Sequence, residues 1–161
     1  MIPSETFAVT HPSECETQVT RAFTAPRHLV FAAFTTPELV SRWMLGPAGF
    51  TMPVCEIDLR PGGKFRYVWR KPSGVEMGVS GQFVEVVPPE RLVHTELFDQ
   101  DWTGGETFIT TVLTEHQATT IMTMTVRYSS KAARDAAFAT GMAKGMAAGY
   151  AQLDALLAAQ A

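Results

Sequence analysis

This sequence has few cysteines and no large excess of charge of one sign, and each of these features excludes a class of protein. The chain has two cysteines, Cys15 and Cys55, which are too few for a disulfide framework and have no partner at zinc-ligand spacing. We therefore predict two free thiols and no metal site. Lysine and arginine number 13 against 16 aspartates and glutamates, so we expect no basic surface for nucleic acid.

Long apolar runs and cofactor motifs are also missing. No stretch approaches the roughly 18 apolar residues of a membrane span, and the N-terminal residues lack the basic and apolar regions of a signal peptide. We therefore expect a cytoplasmic protein without a membrane span. The sequence contains no P-loop, HExxH or dinucleotide-binding glycine motif, so no cofactor is predicted.

What the sequence does contain is the composition of an ordinary globular domain, with 46% apolar and 10% aromatic residues. Residues 1–14 mix proline, serine and threonine with scattered apolar side chains, and we predict a loosely ordered arm there. Residues 15–161 are predicted to form a single domain. A chain of this length buries enough surface to hold its fold around an internal cavity.

Capping and turn residues divide the domain into elements. Residues 16–23 alternate as in a strand, and two short helices follow, one starting near Thr24 and Pro26 and the other near Thr36 and Pro37. Short apolar runs separated by turns then predict an antiparallel meander of six strands. These strands are expected over residues 54–59, 64–69, 75–87, 91–98, 106–115 and 119–128.

The C-terminal segment after Ser129 and Ser130 predicts one long helix with a serine cap, because it is rich in alanine, methionine and leucine and lacks proline. A stripe of large side chains should form its inward face: Phe138, Met142, Met146, Tyr150, Leu153 and Leu157. Beside this stripe Gly141, Gly145 and Gly149 recur every four residues, although each costs about 1 kcal/mol relative to alanine. We attribute this glycine ridge to close packing.

This element order predicts an α+β fold, in which a curved antiparallel sheet wraps around the C-terminal helix and two short helices follow the first strand. Because side chains alternate along a strand, Phe65, Tyr67 and Trp69 share one face, which should point inward. A methionine-rich helix above an aromatic sheet favours an adaptable site for an apolar ligand. A filled, methionine-rich core is the alternative explanation.

Four fragments, each a cap, a turn or a corner of the predicted meander, carry a resemblance to a known family. They are residues 20–26 (TRAFTAP), Thr36-Pro37-Glu38 followed by Trp43, residues 58–63 (DLRPGG), and residues 88–93 (PPERLV) with Glu96. In order and spacing they resemble the START-like, or SRPBCC, superfamily with its helix-grip fold. Within it the chain is similar to homologues of the activator of the heat-shock-protein-90 ATPase, over a C-terminal-domain-like region from about residue 17 to residue 157.

The resemblance implies a cavity between helix and sheet that binds a small hydrophobic or aromatic molecule. We predict that large apolar side chains and one carboxylate line it: Trp43, Phe65, Tyr67, Trp69, Phe83, Glu96, Phe98, Met142, Met146 and Tyr150. Glu96 and Tyr150 would supply polarity to the cavity. Trp102 lies in a loop from which it could cover the opening.

His94 and Glu96 are the candidate catalytic residues. They stand two apart on a predicted strand, so they project to the same face and could act as an acid and base pair. A cyclase or hydrolase-like enzyme of the same superfamily is therefore one alternative to simple ligand binding. Ser80 is not a candidate nucleophile, because its GVSGQ context lacks the final glycine of a nucleophile elbow.

A chaperone-associated protein-binding module is the other alternative that the resemblance raises. The eukaryotic members carry a separate chaperone-binding module, for which this chain has no room, and that argues against a chaperone partner. A homodimer stays open, because strand edges or the outer face of the terminal helix could pair.

Overall fold

The structure is a computed structural model in which residues 7–160 are described. The chain opens with strands β1 (Ala8–Thr10) and β2 (Glu16–Phe23), which helices α1 (Arg27–Thr35) and α2 (Pro37–Trp43) follow. The remaining elements are β3 (Thr51–Ile57), β4 (Lys64–Arg70), β5 (Glu76–Val87), β6 (Arg91–Phe98), β7 (Thr107–His116), β8 (Thr119–Arg127), α3 (Lys131–Ala139) and α4 (Met142–Ala159).

The strands form one eight-stranded antiparallel sheet in the order β1-β2-β8-β7-β6-β5-β4-β3. Strands β3 to β8 each pair with their neighbours in sequence, which confirms the predicted meander. Strand β2 pairs with β8, with Glu16 opposite Arg127. A register shift between Phe83 and Glu85 makes an irregularity in the long strand β5, of the kind that bends a strand. The result is the α+β helix-grip fold that the sequence predicts.

Alternation along the strands produces the inward face of the sheet. Phe65 and Tyr67 of β4 are buried, whereas Lys64, on the opposite face of the strand, is exposed. The Phe65 ring lies 4.9 Å from the Tyr67 ring and 5.4 Å from the Phe83 ring. These rings belong to the same buried cluster as Leu153 of α4, so the sheet and the terminal helix share one core.

The C-terminal helix is broken, so the prediction of one continuous helix is wrong. Ser130 caps α3, its Oγ accepting a hydrogen bond from the Ala133 N–H at 3.0 Å, but this helix ends at Ala139. Gly141 then has a φ of 84°, a left-handed conformation that glycine adopts without steric cost, and α4 begins after it. Because the chain turns at Gly141, Phe138 leaves the predicted inward stripe and is 39% exposed.

The glycines of the predicted ridge have three different surroundings, and close packing explains only Gly149. A Cβ atom at Gly149 would lie 3.6 Å from the carbonyl oxygen of Trp43, where α2 crosses α4. A Cβ atom at Gly145 would meet no atom within 4 Å. Gly141 serves instead to separate α3 from α4.

Two boundaries near the N-terminus differ from the sequence prediction. Ala8–Thr10 pair with β2 as an edge strand, so ordered structure starts before Cys15, and residues 1–6 of the predicted arm lie outside the described residues. A strand this short has too few side chains to show an alternating pattern. Helix α1 begins at Arg27 with Pro26, rather than Thr24, at its N-cap position.

An ion pair joins α4 to the sheet. Arg21 of β2 points inward and is 4% exposed, and its two terminal nitrogens donate hydrogen bonds of 2.9 and 2.7 Å to the carboxylate of Asp154. Nη1 also donates to the carbonyl oxygen of Ala22 at 2.7 Å, and the guanidinium lies 4.9 Å from the centre of the Phe23 ring. A bidentate ion pair restricts the relative position of its two partners in addition to stabilising them, so this pair holds α4 over β2.

We expect Asp154→Asn to lower the free energy of unfolding by about 2 kcal/mol, because it leaves the buried Arg21 guanidinium without its counter-charge. The loss stays below that of a fully buried pair, since the Asp154 side chain is 34% exposed. Urea unfolding measures it. The matched control is Glu76→Gln, whose partner Arg70 is 51% exposed, and its effect should stay below about 1 kcal/mol. Equal losses in the two variants would contradict the role given to Arg21.

Candidate functional site

A cavity of about 350 Å³ lies between α4, the segment after α2 and the inner face of strands β4 to β8. Aromatic and methionine side chains dominate its wall. All three tryptophans and all three tyrosines of the chain are among the lining residues. Because these side chains come from alternate positions on the strands, the same alternation that buries the core also lines the cavity.

The structure places every residue of the predicted lining in the wall of this one cavity. They are Trp43, Phe65, Tyr67, Trp69, Phe83, Glu96, Phe98, Met142, Met146 and Tyr150. They come from α2, β4, β5, β6 and α4, so the fold brings together residues that are far apart in the sequence. Their binding of a ligand stays a prediction.

Two large parts of the wall are absent from the predicted lining. One is the segment after α2, which contributes Met44, Leu45, Gly46, Pro47 and Phe50. The other is the part of the inner sheet face formed by β7, β8 and the residue after β8, with Thr107, Ile109, Thr111, Met124, Val126 and Tyr128. Their spacing of two along β7 and β8 was the signal that could have found them. Trp102 lines the wall as well, with its ring centre 4.8 Å from that of Phe98.

The candidate acid and base pair faces the cavity from β6. His94 Nε2 lies 3.1 Å from Glu96 Oε2, and the two side chains are 12% and 24% exposed. The His94 ring stands edge-on to Phe65 at 5.3 Å, and its Nδ1 is buried without a hydrogen-bond partner. A neutral imidazole with its proton on Nε2 donates to Glu96 and leaves no N–H group unsatisfied. In this arrangement the Glu96 carboxylate is the negatively charged group of the cavity wall.

Burial and the Glu96 charge act on every tyrosine of the chain. Burial raises the pKa of Tyr128 to about 12, and the Glu96 carboxylate adds to the shift. Burial also raises the pKa of Tyr67, with smaller contributions from Cys55 and Glu96. For Tyr150 burial raises the pKa most, Arg21 opposes the rise and Glu96 adds to it. All three phenols are therefore protonated hydrogen-bond donors at neutral pH.

The tryptophans give the wall its rigidity. Trp43 Nε1 donates to the carbonyl oxygen of Ala33 at 2.8 Å, and Trp69 Nε1 donates to that of Met44 at 2.7 Å. The Trp43 ring stacks on Tyr150 with centres 5.9 Å apart. Indole rings held at their polar ends present fixed apolar surfaces. The Trp102 N–H, by contrast, is buried without a partner.

Other chemistry finds little support in residues 7–160. No group of three or more His, Cys, Asp and Glu side chains in this range could hold a metal ion. No helix among them is long and apolar enough to cross a membrane. Burial raises the pKa of the Cys55 thiol to about 11, and the nearby Glu38 charge adds to the rise, so this thiol is not activated as a nucleophile.

A curved antiparallel sheet, a terminal helix packed on its inner face and a cavity between them define a helix-grip protein of the START-like class. Residues 24–158 match the family model described as activator of Hsp90 ATPase homolog 1-like protein, and the chain belongs to this family. A comparison with curated proteins finds no match.

Solved bacterial structures share the fold over nearly the whole chain. A protein from Rhodobacter sphaeroides is 36% identical, with a TM-score of 0.90, over 95% of this chain and 98% of that one. A protein from Nitrosomonas europaea is 27% identical, with a TM-score of 0.82, over 92% and 97% of the two chains. An AHSA1 protein from Silicibacter pomeroyi, 22% identical with a TM-score of 0.73 over 91% and 99%, shows the fold alone.

We expect the tyrosines of the native protein to ionise well above their ordinary pKa of 10.0, because burial raises the pKa of Tyr67, Tyr128 and Tyr150. Folding favours the neutral phenol, so the resulting stability is complete below pH 10 and is lost as the pH rises towards 12. Tyrosinate absorbance, titrated in native buffer and in urea, measures the difference. A native tyrosine that titrates near pH 10 would contradict the burial of these phenols around Glu96.

Proposed function

We propose that this protein binds a small hydrophobic or aromatic molecule in the cavity between α4 and the sheet. The observation that carries the proposal is the cavity itself, because about 350 Å³ lies inside an aromatic wall. Small-molecule sites occupy roughly 300 to 1,000 Å³, whereas close-packed cores contain few voids larger than a water molecule. The open space therefore favours ligand binding over the filled-core explanation.

The wall also combines fixed and adaptable surfaces. Trp43 and Trp69 are held by hydrogen bonds, whereas the methionine side chains Met77, Met124, Met142 and Met146 can change rotamer to follow a ligand. Gly145 keeps space open, since a Cβ atom there would meet nothing within 4 Å. A helical glycine costs about 1 kcal/mol relative to alanine, and space for a ligand accounts for that cost better than packing does.

A second candidate function is catalysis, and the His94–Glu96 contact favours it. The 3.1 Å hydrogen bond orients an imidazole and a carboxylate toward an apolar cavity, as an acid and base pair requires. The third possibility, a chaperone-associated protein-binding module, has its support in the family description alone. Ligand binding comes first because it needs only the cavity.

A thermal-shift panel of fatty acids, sterols, flavonoids, polyketides and aromatic acids and amines tests the proposal. A ligand at about a hundred times its dissociation constant adds roughly 2.7 kcal/mol, which raises Tm by several degrees in a domain of this size. We expect at least one chemical class to do so. The variant Gly145→Leu should stay folded and lose this response, because its side chain projects into the cavity.

Ala148→Leu is the matched control, since it adds the same side chain to α4 at an exposed position. This variant should keep the response of the wild type. A panel without any shift, or equal shifts in wild type and Gly145→Leu, would contradict binding in the cavity and redirect attention to protein partners.

If the protein is an enzyme, Glu96→Gln should lower kcat roughly 100-fold or more, since general acid–base catalysis contributes at least that factor. The panel compounds that stabilise the protein are the substrates to assay, with product detected by mass spectrometry at saturating concentration. Turnover that survives Glu96→Gln would remove the pair from the mechanism.

A further inference from the structure

The cavity wall is electrostatically one-sided. Among the lining residues that the structure describes there is no lysine, arginine or aspartate, and the groups that can carry charge near neutrality are Glu96 and His94. A neutral His94 satisfies the 3.1 Å contact to Glu96 without an unpaired N–H, whereas a charged one would bury an Nδ1–H that has no acceptor. The wall thus carries the net charge of one carboxylate.

The carboxylate of Glu96 also keeps hydrogen-bonding capacity. Its Oε2 accepts from His94, while its Oε1 makes no hydrogen bond to any described residue. A carboxylate oxygen can only accept, so a group that meets it from within the cavity must donate. Hydrogen bonds to a charged acceptor are stronger than neutral ones, and an apolar wall weakens the competition from water.

We propose that this cavity selects ligands whose apolar body ends in a hydrogen-bond donor, a phenol or an amine, and discriminates against carboxylates. The inference rests on the proposed function and names its ligand class. A carboxylate ligand would bring a second negative charge to the Glu96 side chain, in surroundings that screen charge less than water does. A donor group would instead form a hydrogen bond to Oε1 of Glu96, which makes none to any described residue.

The other polar groups of the wall do not reverse this preference. The Tyr67 and Tyr150 hydroxyls can donate or accept, so they tolerate either kind of ligand. The buried Trp102 N–H has no partner and can only donate, so it suits an acceptor such as a phenol oxygen, but it carries no charge that would offset the charge of Glu96. The aromatic surfaces favour positive over negative charge, because the face of each ring is the negative pole of its quadrupole. Trp69 and Phe98 stack with centres 6.4 Å apart, and both rings line the same cavity as Glu96.

Three compounds with the same naphthalene body test the inference: naphthol, naphthylmethylamine and naphthoate. At about pH 7 the first is neutral, the second is a cation and the third is an anion. Calorimetric titration of the wild-type protein should show at least one of the two donors binding roughly tenfold tighter than naphthoate, or more. This comparison needs no variant, so it does not depend on the folding of a mutant.

Glu96→Gln then assigns the preference to one side chain. The glutamine amide oxygen can still accept from His94, but the charge is gone. We expect the ratio of donor to carboxylate affinities to fall roughly tenfold. Glu76→Gln, which removes an exposed carboxylate outside the cavity, should leave the ratio unchanged.

The outcomes separate the two proposals. Naphthoate binding as tightly as both donors, or a preference that survives Glu96→Gln, would overturn the ligand class while ligand binding itself stands. If carboxylates are the only compounds of the wider panel that stabilise the protein, the ligand class is likewise overturned while ligand binding stands. If the naphthalene series and every compound of the panel fail to bind, the proposed function fails, and the inference that rests on it fails with it.

Discussion

The ion pair between Arg21 and Asp154 holds α4 over the sheet, and the shape of the cavity depends on where that helix lies. At this end the helix packs closely, since Gly149 lets it approach Trp43 and Leu153 is fully buried. Towards its N-terminus the same helix leaves space. Sheet and helix are therefore joined firmly at one end and separated at the other by the cavity, which is a geometry that an apolar ligand can complete.

Much of the fold could be predicted from local signals, because antiparallel strands follow from alternation and turn residues. The break between α3 and α4 was missed, since Gly141 was interpreted as one member of a repeating series. Its position after Thr140 is also that of a residue just past a helix end, where glycine is common. Strand β1 was missed for another reason: pairing with β2, and not its own pattern, makes Ala8–Thr10 a strand.

The cavity lining was predicted more completely on the helix side than on the sheet side. Large aromatic residues on β4 to β6 attract attention in a sequence, whereas threonines such as Thr107 and Thr111 read as ordinary strand residues. Sequence pattern also does not reveal that Tyr67, Tyr128 and Tyr150 all experience the charge of Glu96, because they come from β4, from the residue after β8 and from α4, which only the folded chain brings together. The family match supports the fold, and the site itself has to supply the argument for function.

The central claim is that a ligand enters the space between α4 and the sheet, and methionine methyl groups report on that space directly. Five methionines line the cavity: Met44, Met77, Met124, Met142 and Met146. Met52 and the fully buried Met122 lie outside its lining and serve as internal controls. In a carbon-13 methyl NMR titration with the most stabilising compound, the account predicts shifts confined to the lining methionines and intermolecular contacts to them. Shifts at the controls alone, or at none, would contradict it.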